Sequence, residues 1–184
     1  EAMLGMSCFT AEQVCAMCLR VNGYDIDLMW EEKLADINRV PGLRAERPPK
    51  MMRDTLIGLD AGCDFAEAIA AGEEAPAVVC IMDEANEQFS GSNDSSGTSQ
   101  DQQGLLKTKW EENGWDGALF YGFGGCGKTE LAKYMASMAG LFLWVDMPGM
   151  KSKFVGDSEA NARMAFAKIF AIGGSRVFFV LTCN

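Results

Sequence analysis

The 184-residue chain contains no histidine. That absence removes Ser–His and Cys–His nucleophile pairs and every histidine-dependent metal site. Long apolar runs are also missing: none approaches the ~18 residues of a membrane-spanning helix. No charged-then-apolar leader opens the chain at Glu1. Basic residues are few beside acidic ones, 16 Lys and Arg against 26 Asp and Glu, for a net charge of −10. A balance of that sign argues against a broad nucleic-acid surface and leaves room only for a local basic groove. A second CxxC is lacking too. Cys15-Ala-Met-Cys18 therefore has nothing with which to complete a zinc shell, and it reads as two small residues on one helix face.

What is present is an ordinary globular composition, 48% hydrophobic and 23% charged. The length suits one domain, or one domain with a helical appendage, and is ample for a buried core. Three of the seven cysteines fall in predicted strands or in the glycine-rich loop, as suits reduced thiols of the cytosol. A start at Glu1 and a stop just after an apolar run fit a trimmed fragment.

The chain is organised around Gly122-Phe-Gly-Gly-Cys-Gly-Lys-Thr129, which fits G-x-x-x-x-G-K-[ST] without a mismatch. Residues 118–121 before it are a short apolar run suited to a buried parallel strand. Residues 130–139 after it read as a helix with Leu131, Tyr134, Met135 and Met138 on one face and Gly140 as its stop. Glycines let main-chain N–H groups curl around phosphate oxygens, and the helix N-terminus adds partial positive charge. The predicted nucleotide-contacting set is Gly122, Gly124, Gly125, Cys126, Gly127, Lys128, Thr129 and Glu130. Lys128 is placed to reach the β- and γ-phosphates and Thr129 to ligate Mg²⁺.

Residues 76–82 form a second apolar run rich in β-branched residues and end in Asp83-Glu84. Two carboxylates at a strand end, beside a phosphate loop, suit nucleotide hydrolysis. Asp83 would hold Mg²⁺, and Glu84 would orient and activate the attacking water.

Elsewhere, residues 1–72 read as helices: 11–21 capped by Thr10 with Gln13, a second capped by Asp27 that turns Trp30, Leu34 and Ile37 inward, then 51–59 and 64–71. Residues 88–104, rich in Ser, Gly, Asn, Asp and Gln, read as a mobile loop, and 105–112 as a helix. Strands are predicted at 141–145 and 176–181. A helix from 157 to about 170 carries Ala162, Phe166, Ala167 and Phe170 as its apolar stripe.

Together these stretches resemble an AAA-type P-loop ATPase over roughly residues 76–184, with a weaker echo in the N-terminal helices. Residues 122–129 resemble the Walker A loop and 78–84 the Walker B strand. Lys153-Phe-Val-Gly156, with Asp157-Ser-Glu159 behind it, is similar to the first pore loop and the helix that follows. Residues 177–184 look like the sensor-1 strand, with Asn184 as its polar sensor. The resemblance implies an α/β fold: an N-terminal helical segment (1–72) followed by an incomplete P-loop ATPase core without a lid (73–184), a mostly parallel sheet flanked by helices. It implies Mg²⁺ and ATP as cofactors and Glu84, Lys128 and Asn184 as the catalytic set. It implies a homo-oligomeric ring, such as a hexamer, whose Lys153, Phe154, Val155 and Gly156 grip an extended polypeptide in the cytoplasm.

The segment order departs from that family. Walker B here precedes Walker A, and no circular permutation gives this arrangement, so a segment is transposed. No arginine sits in a finger motif. The rival readings are a nucleotide-binding interaction module without efficient hydrolysis, and a kinase on the same loop, for which no acceptor pocket is evident in the sequence.

Overall fold

The structure is a computed structural model that describes residues 3–48, 50–90, 98–151 and 157–184. Three sequence runs are apolar at nearly every position: Val-Val-Cys-Ile-Met, Leu-Phe-Leu-Trp-Val and Val-Phe-Phe-Val-Leu. Such runs are stable as strands only where both sheet faces are covered. They form β4 (Val78–Met82), β6 (Leu141–Val145) and β7 (Val177–Cys183). With β3 (Leu43–Glu46) and β5 (Asp116–Tyr121) they make a five-stranded sheet in the order β3-β6-β4-β7-β5. The strands from β6 to β5 are parallel, and β3 is antiparallel at one edge. A separate two-stranded hairpin, β1 (Leu19–Arg20) and β2 (Gly23–Tyr24), joins the first two helices.

Alternation along β4 divides the core. Val78, Cys80 and Met82 face one side, where they meet α2 (Ile26–Asn38), α5 (Thr98–Asn113) and α7 (Asp157–Gly173) through Ile37, Leu106, Ala162, Phe166 and Ile169. Val79 and Ile81 face the other, against α3 (Asp60–Ala70) and α6 (Lys128–Ser137) through Cys63, Ala66, Leu131 and Met135. On the first side Trp115 packs against Phe166 and Phe179, and its indole N–H donates to the Gly174 carbonyl at 2.9 Å. Lys168 of α7 reaches Asp36 of α2 at 2.5 Å and the Gly5 carbonyl at 2.7 Å, which ties the N-terminal residues to the core. That N-terminal part, α1 (Cys8–Cys18) against α2, has a small core of its own in Val14, Cys18 and Met29, with Cys15 packed at its margin.

The structure departs from the sequence expectations at several places. Residues 43–46, in the gap between the second and third expected helices, form a sheet strand where none was expected, with Leu43 and Ala45 turned into the core. Helix α1 is capped by Ser7, whose Oγ accepts from the Thr10 amide, so Thr10 lies inside the helix. Helix α2 is capped by Asp25 through the Leu28 amide, and Asp27 falls in its first turn. Of the expected helix over 51–59 only a 3₁₀ turn, Arg53–Thr55, forms. The expected loop over 88–104 is cut back by α4 (Ala85–Ser90) and by the start of α5 at Thr98, while 91–97 lie outside the described residues. In α7 the buried stripe is Ala162, Ala165, Phe166 and Ile169, and Ala167 and Phe170 face solvent. The buried set keeps the i, i+3, i+4, i+7 spacing that the expected one broke. Met138 likewise lies past the end of α6 and is exposed.

Candidate active site

The C-terminal ends of β4, β7 and β5 lie side by side, and each delivers part of one site. Strand β7 sits between the other two, pairing Met82 of β4 with Leu181 and Tyr121 of β5 with Cys183. The Asp83-Glu84 turn and the 122–127 loop therefore flank the end of β7, although β4 precedes β5 in the chain.

From β5 the chain passes through Gly122–Gly127 into α6. Gly125 and Gly127 have φ of +80° and +90°, a left-handed conformation that costs any other residue ~1 kcal/mol or more. Gly127 is also the N-cap of α6, and a Cβ there would stand 2.8 Å from Leu59 Cδ1. Having no side chain, it leaves the N–H groups of the first helical turn directed outward, the arrangement that receives anions.

Six residues around this turn form one hydrogen-bonded circuit. Lys128 Nζ donates to Asn184 Oδ1 at 2.7 Å, and Asn184 Nδ2 donates to Glu84 Oε1 at 3.2 Å. The Glu84 amide donates to Thr182 Oγ1 at 2.9 Å, and the Thr182 hydroxyl donates to Asp83 Oδ1 at 2.5 Å. Thr129 Oγ1 completes the set by donating to the same Asp83 oxygen at 3.2 Å. Lys128 also donates to the carbonyls of Gly122 and Phe123, at 2.6 and 3.0 Å. Glu84 holds a φ of +50°, unusual for a residue with a side chain. Gln88 buttresses the turn, donating to the Asp83 carbonyl and accepting from the Met147 amide.

Of the residues picked out in the sequence, Asp83, Glu84, Lys128, Thr129 and Asn184 come together here with the glycines of the loop. The Cys126 side chain is exposed on that loop. Glu130 is turned along the helix surface, paired with Lys133 at 2.7 Å. Lys153, Phe154, Val155 and Gly156 lie outside the described residues. Thr182 and Gln88 were not anticipated. The thiols of Cys15 and Cys18 sit on α1, away from this edge of the sheet.

The donor set fits Mg²⁺: a hydroxyl and a carboxylate oxygen are hard ligands, already within 3.2 Å of each other at the helix N-terminus. The helix behind the loop is clasped to α3. Tyr134 donates to Glu67 Oε1 at 2.7 Å, while Arg53 holds Glu67 and Asp64 at 3.0 and 2.6 Å. The Glu67 hydrogen bond, reinforced by burial, pushes the Tyr134 phenol up to about 12.

A mostly parallel sheet with strand, glycine loop, Lys-Thr and helix at its C-terminal edge defines a P-loop NTPase fold. Within that class, residues 118–180 match the family described as ATPase family associated with various cellular activities. Over 64 residues, 34% of this chain, it is 44% identical to the ATPase family gene 2 protein homolog A of Homo sapiens, covering 7% of that protein. It is 42% identical over 64 residues to the Peroxisomal ATPase PEX1 of Saccharomyces cerevisiae, covering 6% of it. The ATPase family gene 2 protein of Schizosaccharomyces pombe is 44% identical over 73 residues, 37% of this chain and 9% of that protein. The chain thus spans less than a tenth of each of these relatives. No solved structure matches it. Asp83, Glu84 and Asn184 lie outside the family match, so their place beside the loop comes from the sheet alone.

Proposed function

We propose that the chain binds Mg²⁺–ATP on residues 122–129 and hydrolyses it. The observation that carries this reading is the circuit from Lys128 through Asn184, Glu84, Thr182 and Asp83 to Thr129. In it a cation, a polar amide, two carboxylates and two hydroxyls meet at one helix N-terminus. The loop amides and Lys128 hold the phosphates. Thr129 and Asp83 would hold Mg²⁺, which when bound offsets phosphate charge. Glu84 Oε1, fixed by Asn184 Nδ2, accepts a proton from the attacking water. The remaining sequence resemblance extends the proposal to a ring-forming cytoplasmic protein that threads or remodels polypeptides, with 153–156 as the gripping loop.

The test is Glu84→Gln. ATP binding is retained and turnover falls by about 100-fold or more; undiminished turnover would remove Glu84 from this role. A second reading, nucleotide binding without efficient hydrolysis, has one observation in its favour. Arg44, Arg47 and Arg53 are paired with Glu46, Asp27 and Asp64. None of the three sits in a finger motif, and each is paired within its own surroundings. Single-turnover hydrolysis by the unsubstituted chain, with Lys128→Ala as control, separates the two.

A further inference from the structure

Thr182 is 1% exposed, and its one hydroxyl makes two contacts. It donates to Asp83 Oδ1 at 2.5 Å and accepts the Glu84 amide at 2.9 Å. A hydroxyl is the smallest side-chain group able to donate and accept at once, and a β-branched residue suits the strand end that carries it. Its two partners are adjacent in the chain but look in different directions. Asp83 faces Thr129, and Glu84 faces Asn184. Between them the backbone enters the left-handed region, at a Glu84 φ of +50°. Without a partner for its amide, that turn would lose the hydrogen bond that holds it and have no steric reason to stay.

We propose that Thr182 is a positioning residue that couples the metal-side carboxylate to the water-side carboxylate. One rotor fixes the rotation of Asp83 and the backbone of Glu84 together, so that neither can be misplaced alone. This assignment rests on the nucleotide-hydrolysis reading above. It deepens that reading by giving the neighbouring strand a part in orienting both acids. Groups that orient metal-binding carboxylates change metal affinity or activity by about 10–100-fold when removed.

The experiment compares Thr182→Val, which keeps the shape, with Thr182→Ser, which keeps the hydroxyl. Three readouts are taken: thermal melting, magnesium titration of a fluorescent ATP analogue, and hydrogen exchange at the Glu84 amide. For T182V the expectation is a magnesium midpoint raised by about 10-fold, with magnesium-free nucleotide binding unchanged. The Glu84 amide also exchanges faster in T182V, and T182S restores both readouts. A T182V protein with unaltered magnesium midpoint and unaltered exchange overturns the assignment, as does a T182S protein as impaired as T182V. If T182V does not fold, the unsubstituted protein decides by itself. A Glu84 amide that exchanges as fast as an exposed turn rules the coupling out, and a protected one, restored in T182S, supports it. If the unsubstituted chain shows no magnesium-dependent nucleotide binding, the hydrolase reading falls and takes this one with it. If it binds normally while T182V is unchanged, only the role of Thr182 falls.

Discussion

An ammonium has three N–H donors, and Lys128 directs them at three acceptors, the carbonyls of Gly122 and Phe123 and Asn184 Oδ1. Two of those acceptors belong to the loop that precedes it, so the side chain folds back over its own glycines. A phosphate binding there exchanges carbonyl partners for charged oxygens, which make stronger hydrogen bonds to a cation. Lys128→Ala removes that gain, and the expected result in equilibrium binding is an ATP affinity weaker by on the order of 100-fold, about 2.7 kcal/mol. The helix should form unchanged, since its first-turn amides do not depend on the side chain. At this scale Lys128, Thr129, Asp83 and Glu84 could be picked out as candidates because the motifs that carry them are spaced within a few residues, and the structure brings them together. Thr182 was not, because its partner Asp83 is 99 positions away, and a threonine at a strand end carries no signal until the strands are paired.

Among the elements, the contact between α3 and α6 fixes where the phosphate loop ends. Glu67 accepts from Tyr134 and Arg53 together, and Leu59, just ahead of α3, stands over Gly127. Tyr134→Phe deletes one hydrogen bond to a carboxylate. The expected destabilisation is about 1.5 kcal/mol, read from urea midpoints. The same pair sets a pH dependence. The phenol is raised in the folded protein to about 12, against about 10 for an ordinary tyrosine. The protonated form is therefore the one that folding favours. Its contribution is complete below about pH 10 and is lost as pH climbs towards 12. The stability gap between the unsubstituted protein and Y134F should stay flat up to pH 10 and narrow above it; a gap that widened with pH would contradict the hydrogen bond. Sequence pattern located β4, β6 and β7 because both their faces are buried and their apolar runs are unbroken. It missed β3, where only Leu43 and Ala45 turn inward and Arg44 and Glu46 are turned away. It also missed the first turns of α5, where a polar stretch is helical without an apolar period and Gln102 is buried in place of an aliphatic residue. Tertiary packing, rather than local preference, decides both.

At the scale of the whole molecule, the two edges of the sheet differ. On one side β3 ends the sheet with Arg44 stacked on Trp144 and paired with Glu46. Charge on an edge strand discourages further pairing. On the other side β5 pairs with β7 alone among the described strands. Trp110 lies over its Gly117, where a Cβ would approach the indole to 2.5 Å. Leu119 and Tyr121 are 62% and 80% exposed along the same strand, followed by Phe123 at 91%. An edge that no other described strand covers, with exposed large apolar side chains, invites pairing with another chain. Self-association of the 184-residue chain through this edge would be independent of nucleotide, whereas ring assembly that places one subunit against the γ-phosphate of the next would respond to it. Sedimentation velocity over a concentration series, with and without Mg²⁺–ATP, tells the two apart. The expectation is association at rising concentration in both conditions, abolished by Leu119→Lys with Tyr121→Lys. Those substitutions leave Lys128, Thr129 and the Asp83–Thr182 contacts in place, so nucleotide binding should persist in the monomeric variant. Association that survives both lysines and appears only with Mg²⁺–ATP would instead assign it to a surface built around the phosphate loop.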